Sequence, residues 1–304
     1  MRSGADLPNE GASIIPIRST GPANPGAASR RPSRRSAFLV LSMVLALSAC
    51  GRPPEVKGLM NPAPLDASDH RAPGIPASFG DTRPHDWSAR APSAYPVHGI
   101  DAARYQGRID WSRAQRSGVS FAWLKVTEGG DLLDPGYAIN APQARAAGVP
   151  VGGYHFYYFC RTAREQAEWF IRNVPKRGGD LPPMLDMEWN HTSPTCQRRP
   201  PAATVRADIT TFAQIVARHY GTAPVVYTTP DFYRENGLGQ LSGVEFFLRS
   251  TTAHPSVRYP EERWTFWQYS GTGVVPGVNG IVDLNAFAGD RSDWTRWLGS
   301  RRQR

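Results

Sequence analysis

From residue 97 onward, short apolar runs alternate with stretches whose apolar residues recur at helical spacing. A strand over 97–102 precedes a helix over 111–117, 121–126 precedes 137–147, 151–159 precedes 163–174, and 184–187 precedes 203–220. Four more strands follow, at 224–228, 245–249, 265–269 and 280–284. Gly118, Gly148 and Gly221 each stand just past a helical stretch, where glycine commonly ends a helix. This alternation predicts an α/β fold in which the strands close into a barrel. Little helical pattern separates the last strands, so the expected form is a distorted TIM-like (β/α) barrel with reduced helices in the C-terminal part.

Ahead of the barrel the texture differs. Arg30, Arg31, Arg34 and Arg35 precede an apolar run over 37–47 that is too short to span a bilayer comfortably. A basic stretch before a short apolar one reads as an export signal. Leu47-Ser48-Ala49-Cys50-Gly51 resembles a bacterial lipobox, in which the cysteine becomes the lipidated first residue of the mature chain; an ordinary signal peptide with an incidental cysteine is the alternative. Residues 51–95 are rich in Pro, Ala, Gly, Asp and Arg without periodicity. The expected organisation is a lipoprotein signal at 1–49, a flexible linker at 50–95 beginning at lipidated Cys50, a catalytic barrel at 96–299 and a basic tail at 300–304. Such a protein is exported and anchored by lipid on the periplasmic face, with Gly51 a hint of outer-membrane sorting.

The formal charge is +9, of which residues 1–49 contribute six Arg less Asp6 and Glu10, or +4, leaving +5 for the rest. That excess, without a Lys/Arg block in the barrel, suits an anionic wall polymer and gives no reason to expect nucleic acid. No CxxC or HxxxH spacing occurs, so neither a metal nor another cofactor is expected. With Cys50 lipidated, Cys160 and Cys196 remain for an oxidising compartment; they pair as a disulfide if their loops meet, and otherwise stay as thiols. A monomer is expected.

The chemistry concentrates in Met184-Leu185-Asp186-Met187-Glu188. Side chains alternate faces along a strand, so Asp186 and Glu188 share one, roughly 6 to 7 Å apart along the backbone. Like charges held together raise one pKa, giving a protonated acid beside an ionised one, the division of labour of glycoside hydrolysis. Asp101 and Asp283 stand near the ends of the first and eighth strands. Barrel closure makes those strands neighbours and brings all four acids to the rim where such barrels build active sites. Any single acid is better explained as a helix cap or an arginine partner; four on one rim are not.

His98-Gly99-Ile100-Asp101, Tyr105-Gln106-Gly107-Arg108-Ile109-Asp110-Trp111, Leu124-Lys125-Val126-Thr127-Glu128-Gly129, the stretch 148–157, Leu185-Asp186-Met187-Glu188, Trp267-Gln268-Tyr269 and Val282-Asp283-Leu284-Asn285 follow one another along 97–298. In this order they resemble the glycoside hydrolase family 25 lysozymes. The resemblance implies a muramidase that cleaves the β-1,4 bond between N-acetylmuramic acid and N-acetylglucosamine in the glycan strands of peptidoglycan. It also implies that Glu188 is the general acid, that Asp186 orients the substrate N-acetyl group or stabilises the transition state, and that Asp101 and Asp283 tune charge and hold substrate or water. A barrel that binds wall without cleaving it, and a chitinase-like N-acetylhexosaminide hydrolase, are the competing readings.

Tyr154, Tyr157, Tyr227, Trp267, Gln268 and Tyr269 fall on or after predicted strands and are expected to line a sugar groove, since flat rings stack on pyranose faces. Phe156, Phe159, Phe170, Trp264 and Phe266 are expected in the core, His155 as a hydrogen-bonded barrel residue, and Lys125 with Glu128 as a structural pair near the rim. The sixth strand reads Phe246-Phe247-Leu248-Arg249-Ser250-Thr251, a departure from the family's common Trp-Ile-Ala-x-Tyr pattern, so substrate contacts there are expected to differ. The segment 190–201, holding Cys196, is expected to reshape the groove.

Overall fold

The computed structural model describes residues 74–87 and 90–303. The expected signal, lipidated Cys50 and the linker up to residue 73 lie outside the described residues. Ten strands are present among these: β1 (Gly80–Asp81), β2 (His98–Ala102), β3 (Val119–Glu128), β4 (Leu132–Leu133), β5 (Val151–Phe156), β6 (Met184–Met187), β7 (Val225–Thr228), β8 (Glu245–Arg249), β9 (Phe266–Val274) and β10 (Val282–Phe287). The helices are α1 (Trp111–Arg116), α2 (Pro135–Ala146), α3 (Ala163–Asn173), α4 (Ala202–Tyr220), α5 (Pro230–Asn236), α6 (Pro255–Arg258) and α7 (Arg291–Arg301).

Strands β2, β3, β5, β6, β7, β8 and β9 pair in parallel in that order, and β10 closes the barrel by running antiparallel between β9 and β2. The expected α/β barrel is therefore present, with one reversed strand. Asp283 sits at the start of β10 instead of at a carboxyl end, and the reversal is what returns it to the rim, directly opposite Asp101. Between β8 and β9 the only α-helix is the single turn α6, as the weak pattern there implied.

Alternation along each strand sorts the side chains. Phe121, Trp123, Met184, Val225, Phe247, Phe266 and Phe287 fill the barrel, whereas Ala122, Leu124, Leu185, Val226, Phe246, Leu248 and Trp267 face the surrounding layer. Gly99 points inward, where a Cβ would come within 2.4 Å of the Phe121 ring, so the strand carrying Asp101 leaves that space to phenylalanine. Around the outside, α3 starts on a reciprocal cap between Thr162 and Glu165, and α4 ends at Gly221 in the left-handed conformation.

Two boundaries differ from expectation. The barrel domain does not begin at residue 96: β1 pairs with β9, and Trp87 packs edge-on against Trp267 at 5.1 Å, so residues 74–87 belong to it as a strap. Their Pro-rich composition masked short stretches held by tertiary contacts. Residues 300–303 are likewise no free tail. Helix α7 closes the barrel floor, with Trp294 and Trp297 against Phe266 and Phe287, and buried Gln303 donates to the Leu181 carbonyl at 3.0 Å.

Cys160 and Cys196 form a disulfide, their Cα atoms 5.8 Å apart, tying the loop after β5 to the segment after β6. Releasing a cross-link across 36 residues restores unfolded-chain entropy worth about 3–4 kcal/mol. Cys196→Ser is therefore expected to lower the melting temperature by several degrees in a thermal melt, and an unchanged midpoint would contradict this.

Candidate active site

The inward residues at the carboxyl ends of the strands line a cleft of about 670 Å³. Asp101 comes from β2, Lys125 from β3, Tyr154 and Phe156 from β5, Asp186 from β6 with Glu188 just beyond it, Tyr227 from β7, Arg249 from β8, Gln268 from β9 and Asp283 from β10. All four sequence-selected acids thus meet in one cavity, and Tyr154, Tyr227 and Gln268 join them.

Asp101 accepts hydrogen bonds at Oδ2 from Asn285 Nδ2 at 2.9 Å and Gln268 Nε2 at 3.2 Å, and the Tyr227 hydroxyl donates to Gln268 Oε1 at 3.0 Å. The carboxyls of Asp101 and Asp283 hydrogen-bond across the β2–β10 pair. Burial raises both, and Asp101's charge pushes Asp283 well above the usual carboxylate range. Asp101, which accepts from two amides, is the ionised partner, and Asp283 keeps the proton.

Burial also raises Asp186, reinforced by the charge of Glu188, and raises Glu188, opposed by Arg249. The two titrate as a unit that holds a proton above the ordinary range. They differ in access. Asp186 is 7% exposed at the base of the cleft, whereas Glu188 is partly open to it. Among the described residues Asp186 Oδ1 is buried without a protein hydrogen-bond partner, so it is available to a polar group that enters the cleft.

On the opposite wall Lys125 is bonded to Glu128, whose other oxygen accepts from the Tyr158 hydroxyl, which in turn accepts from Asn190 Nδ2. Burial would raise Glu128, but these donors outweigh it and hold its carboxyl below its ordinary value. Asn190, Thr192, Ser193 and Pro194 line the cleft, so the disulfide-tied segment does shape the groove. His155 bonds Thr127 and Gln166 at 2.8 and 3.0 Å and is pushed down to about 4 by burial, so it is neutral and structural.

Three expected groove residues lie elsewhere. Trp267 is 0% exposed and faces outward, its indole N–H donating to the Ser250 carbonyl at 2.7 Å. Tyr157 is buried between Phe159 and Phe212. Tyr269 is also outside the cleft, bonded to His98 at 3.1 Å. Strand parity is the reason: Tyr154, Phe156 and Gln268 point in, so the odd-numbered residues beside them point out. Phe156 moves the other way, from expected core to cleft wall, under Lys125 Nζ at 4.6 Å from its ring centre. Arg249 and Asn285 were not singled out as site residues, although inward parity from Phe247 and Asp283 marks both. Tyr105, 76% exposed, stands on the cleft edge. Among the described residues no group of His, Cys, Asp or Glu is arranged to hold a metal ion.

A β/α barrel whose carboxyl-end mouth gathers four carboxyls, side-chain amides and aromatic rings has the build of a glycoside hydrolase. The chain belongs to the glycosyl hydrolases family 25, the lysozyme family, whose profile matches residues 100–278. Protein YegX of Escherichia coli K12 is similar, at 33% identity over 211 residues, 67% of this chain and 74% of its own length. So is lysozyme M1 of Streptomyces globisporus, 34% identical over 202 residues, 64% of this chain and 68% of that one. The structure of a family 25 glycosyl hydrolase from Bacillus anthracis matches with a TM-score of 0.64 and 31% identity, covering 71% of this chain and 98% of its own.

Proposed function

We propose that this chain is a muramidase that hydrolyses the β-1,4 bond between N-acetylmuramic acid and N-acetylglucosamine in peptidoglycan. Glu188 acts as general acid on the leaving oxygen, because it is the member of the proton-holding pair with access to the cleft. Asp186 receives the N–H of the substrate acetamido group on its unpartnered Oδ1 and holds that group at the reacting carbon. Asp101 supplies fixed negative charge toward an oxocarbenium-like transition state, and Asp283 keeps Asp101 in place by donating to it. Tyr154, Tyr227, Phe156 and Gln268 contact the sugars. The single observation that carries this reading is the convergence of the four acids from β2, β6 and β10 on one cleft.

The acid must be protonated to work, and its protonated fraction falls as pH rises, so kcat/KM is expected to decline through a midpoint above the usual glutamate range. Arg249 opposes that rise, so Arg249→Gln should move the declining limb to higher pH. The measurement is a pH–rate profile on soluble glycan strands; activity that climbs into alkaline buffer would remove Glu188 from this role. Release of chitooligosaccharides without muropeptides would favour an N-acetylhexosaminide hydrolase, and no product at all a binding barrel.

The proposal extends to location: export through the 1–49 signal and lipid attachment at Cys50 place the barrel beside the wall as a monomer. Mass analysis of the detergent-extracted protein should find a lipidated amino-terminal Cys50, and Cys50→Ser should release the protein from membranes.

A further inference from the structure

A second cavity, of about 320 Å³, opens beside the cleft and shares one side chain with it, Arg249. One wall is β9, through Ser270, Gly271 and Thr272, with Thr251 beyond β8; the other is the strap, through Asp81, Arg83 and His85. The strap precedes the segment 100–278 that the family profile matches. Its shape is fixed locally. Asp81 Oδ1 accepts from Thr272 Oγ1 at 2.6 Å and from the Arg83 backbone N–H at 2.9 Å, so the carboxylate is engaged between the strap and β9 and holds the backbone at Arg83.

Among the described residues, neither the Arg83 nor the Arg249 guanidinium makes a hydrogen bond or an ion pair. From the cleft side Arg249 feels Asp101, Glu188 and Asp283, but none is bonded to it. An unpaired guanidinium presents a planar fork that matches a carboxylate. In a strand of alternating N-acetylglucosamine and N-acetylmuramic acid, only the muramyl sugar carries anionic groups, on the lactyl ether at its O3. They are the free lactyl carboxylate or, where a peptide is attached, the carboxylates of that peptide.

We propose that this cavity is a subsite for the carboxylate borne by the O3 substituent of a muramyl sugar, taken by Arg83 and Arg249 while the glycan lies in the cleft. The proposal rests on the muramidase reading and deepens it. A subsite that recognises every second sugar sets the register of the strand and so decides which of the two alternating linkages meets Glu188.

The test is binding, measured by calorimetry on the Glu188→Gln chain so that cleavage plays no part. Three tetrasaccharides of alternating N-acetylglucosamine and N-acetylmuramic acid are compared: one with free lactyl groups, one bearing peptides, and one with its lactyl groups converted to neutral amides. At least one carboxylate-bearing form should bind about tenfold more tightly than the neutral form, the effect of one charge-assisted hydrogen-bonded contact. Adding Arg83→Gln should cut that difference severalfold, Arg249 remaining, and leave the neutral form's Kd unchanged. Which charged form has the advantage identifies the source of the carboxylate. Equal or undetectable binding of all three forms, or an equal loss for charged and neutral forms in the Arg83→Gln chain, would overturn the proposal. Failure of the muramidase reading shows separately, as absence of cleavage by the chain with Glu188 intact.

Discussion

Glu188→Gln is expected to lower kcat on peptidoglycan glycan by about 10²–10⁴-fold, the range contributed by a positioned general acid. Glutamine keeps the shape and the hydrogen-bonding reach of the side chain but cannot deliver a proton, so KM should stay near the wild-type value. The same variant should melt at a higher temperature at pH 8. Burial raises the folded-state pKa of Glu188, so ionising it costs folded-state stability as pH rises from the unfolded value through the folded one. The neutral amide carries no such penalty. At pH below the unfolded glutamate value the wild-type acid is protonated in both states, and the difference should vanish. A variant that loses activity together with melting temperature would point to misfolding instead of a lost proton donor.

The second large effect is expected at the opposite end of the barrel. Arg301 donates from Nε to Glu245 Oε2 at 2.8 Å, and also reaches the Thr222 hydroxyl and the Ala223 carbonyl, both at 2.9 Å. The Trp297 indole donates to the other Glu245 oxygen. Both members of the ion pair are almost enclosed, at 12% and 7% side-chain exposure. Arg301→Ala leaves a buried carboxylate without its cation, which costs about 3–5 kcal/mol. For a domain of this size that lowers the melting temperature by roughly 6–20 °C. Replacing both members with apolar residues should recover much of the loss, since the pair itself contributes little over good packing. The floor is remote from the acids, so kcat at low temperature should be unaffected by either change, and a thermal melt with a parallel rate assay checks both statements.

The parallel strands and their helices were legible because each strand is an unbroken apolar run and each long helix carries its own stop signal. The four acids were legible because they stand on those runs with inward parity. Aromatic character alone does not place a side chain in the groove: Trp267 and Tyr157 are aromatic and near the rim, yet each neighbours an inward residue and so faces the outer layer. Arg249 was noticed only as a departure from a family pattern, although Phe247 two positions earlier fills the barrel. The strap and α7 were missed for a different reason. Neither carries a strong period of its own; β1 is a two-residue pairing with β9, and α7 is held by Trp294, Trp297 and the Glu245 pair. A local signal for α7 did exist, in the reciprocal cap between Asp290 and Asp293. The strap's Asp81–Thr272 contact joins residues 191 positions apart, and no local pattern announces it.

The most direct measurement is mass analysis of peptidoglycan fragments after borohydride reduction, which labels the sugar at each new reducing end. The wild-type chain should yield reduced N-acetylmuramic acid ends, and Glu188→Gln almost none. Reduced N-acetylglucosamine ends, or equal yields from the two proteins, would contradict the muramidase reading.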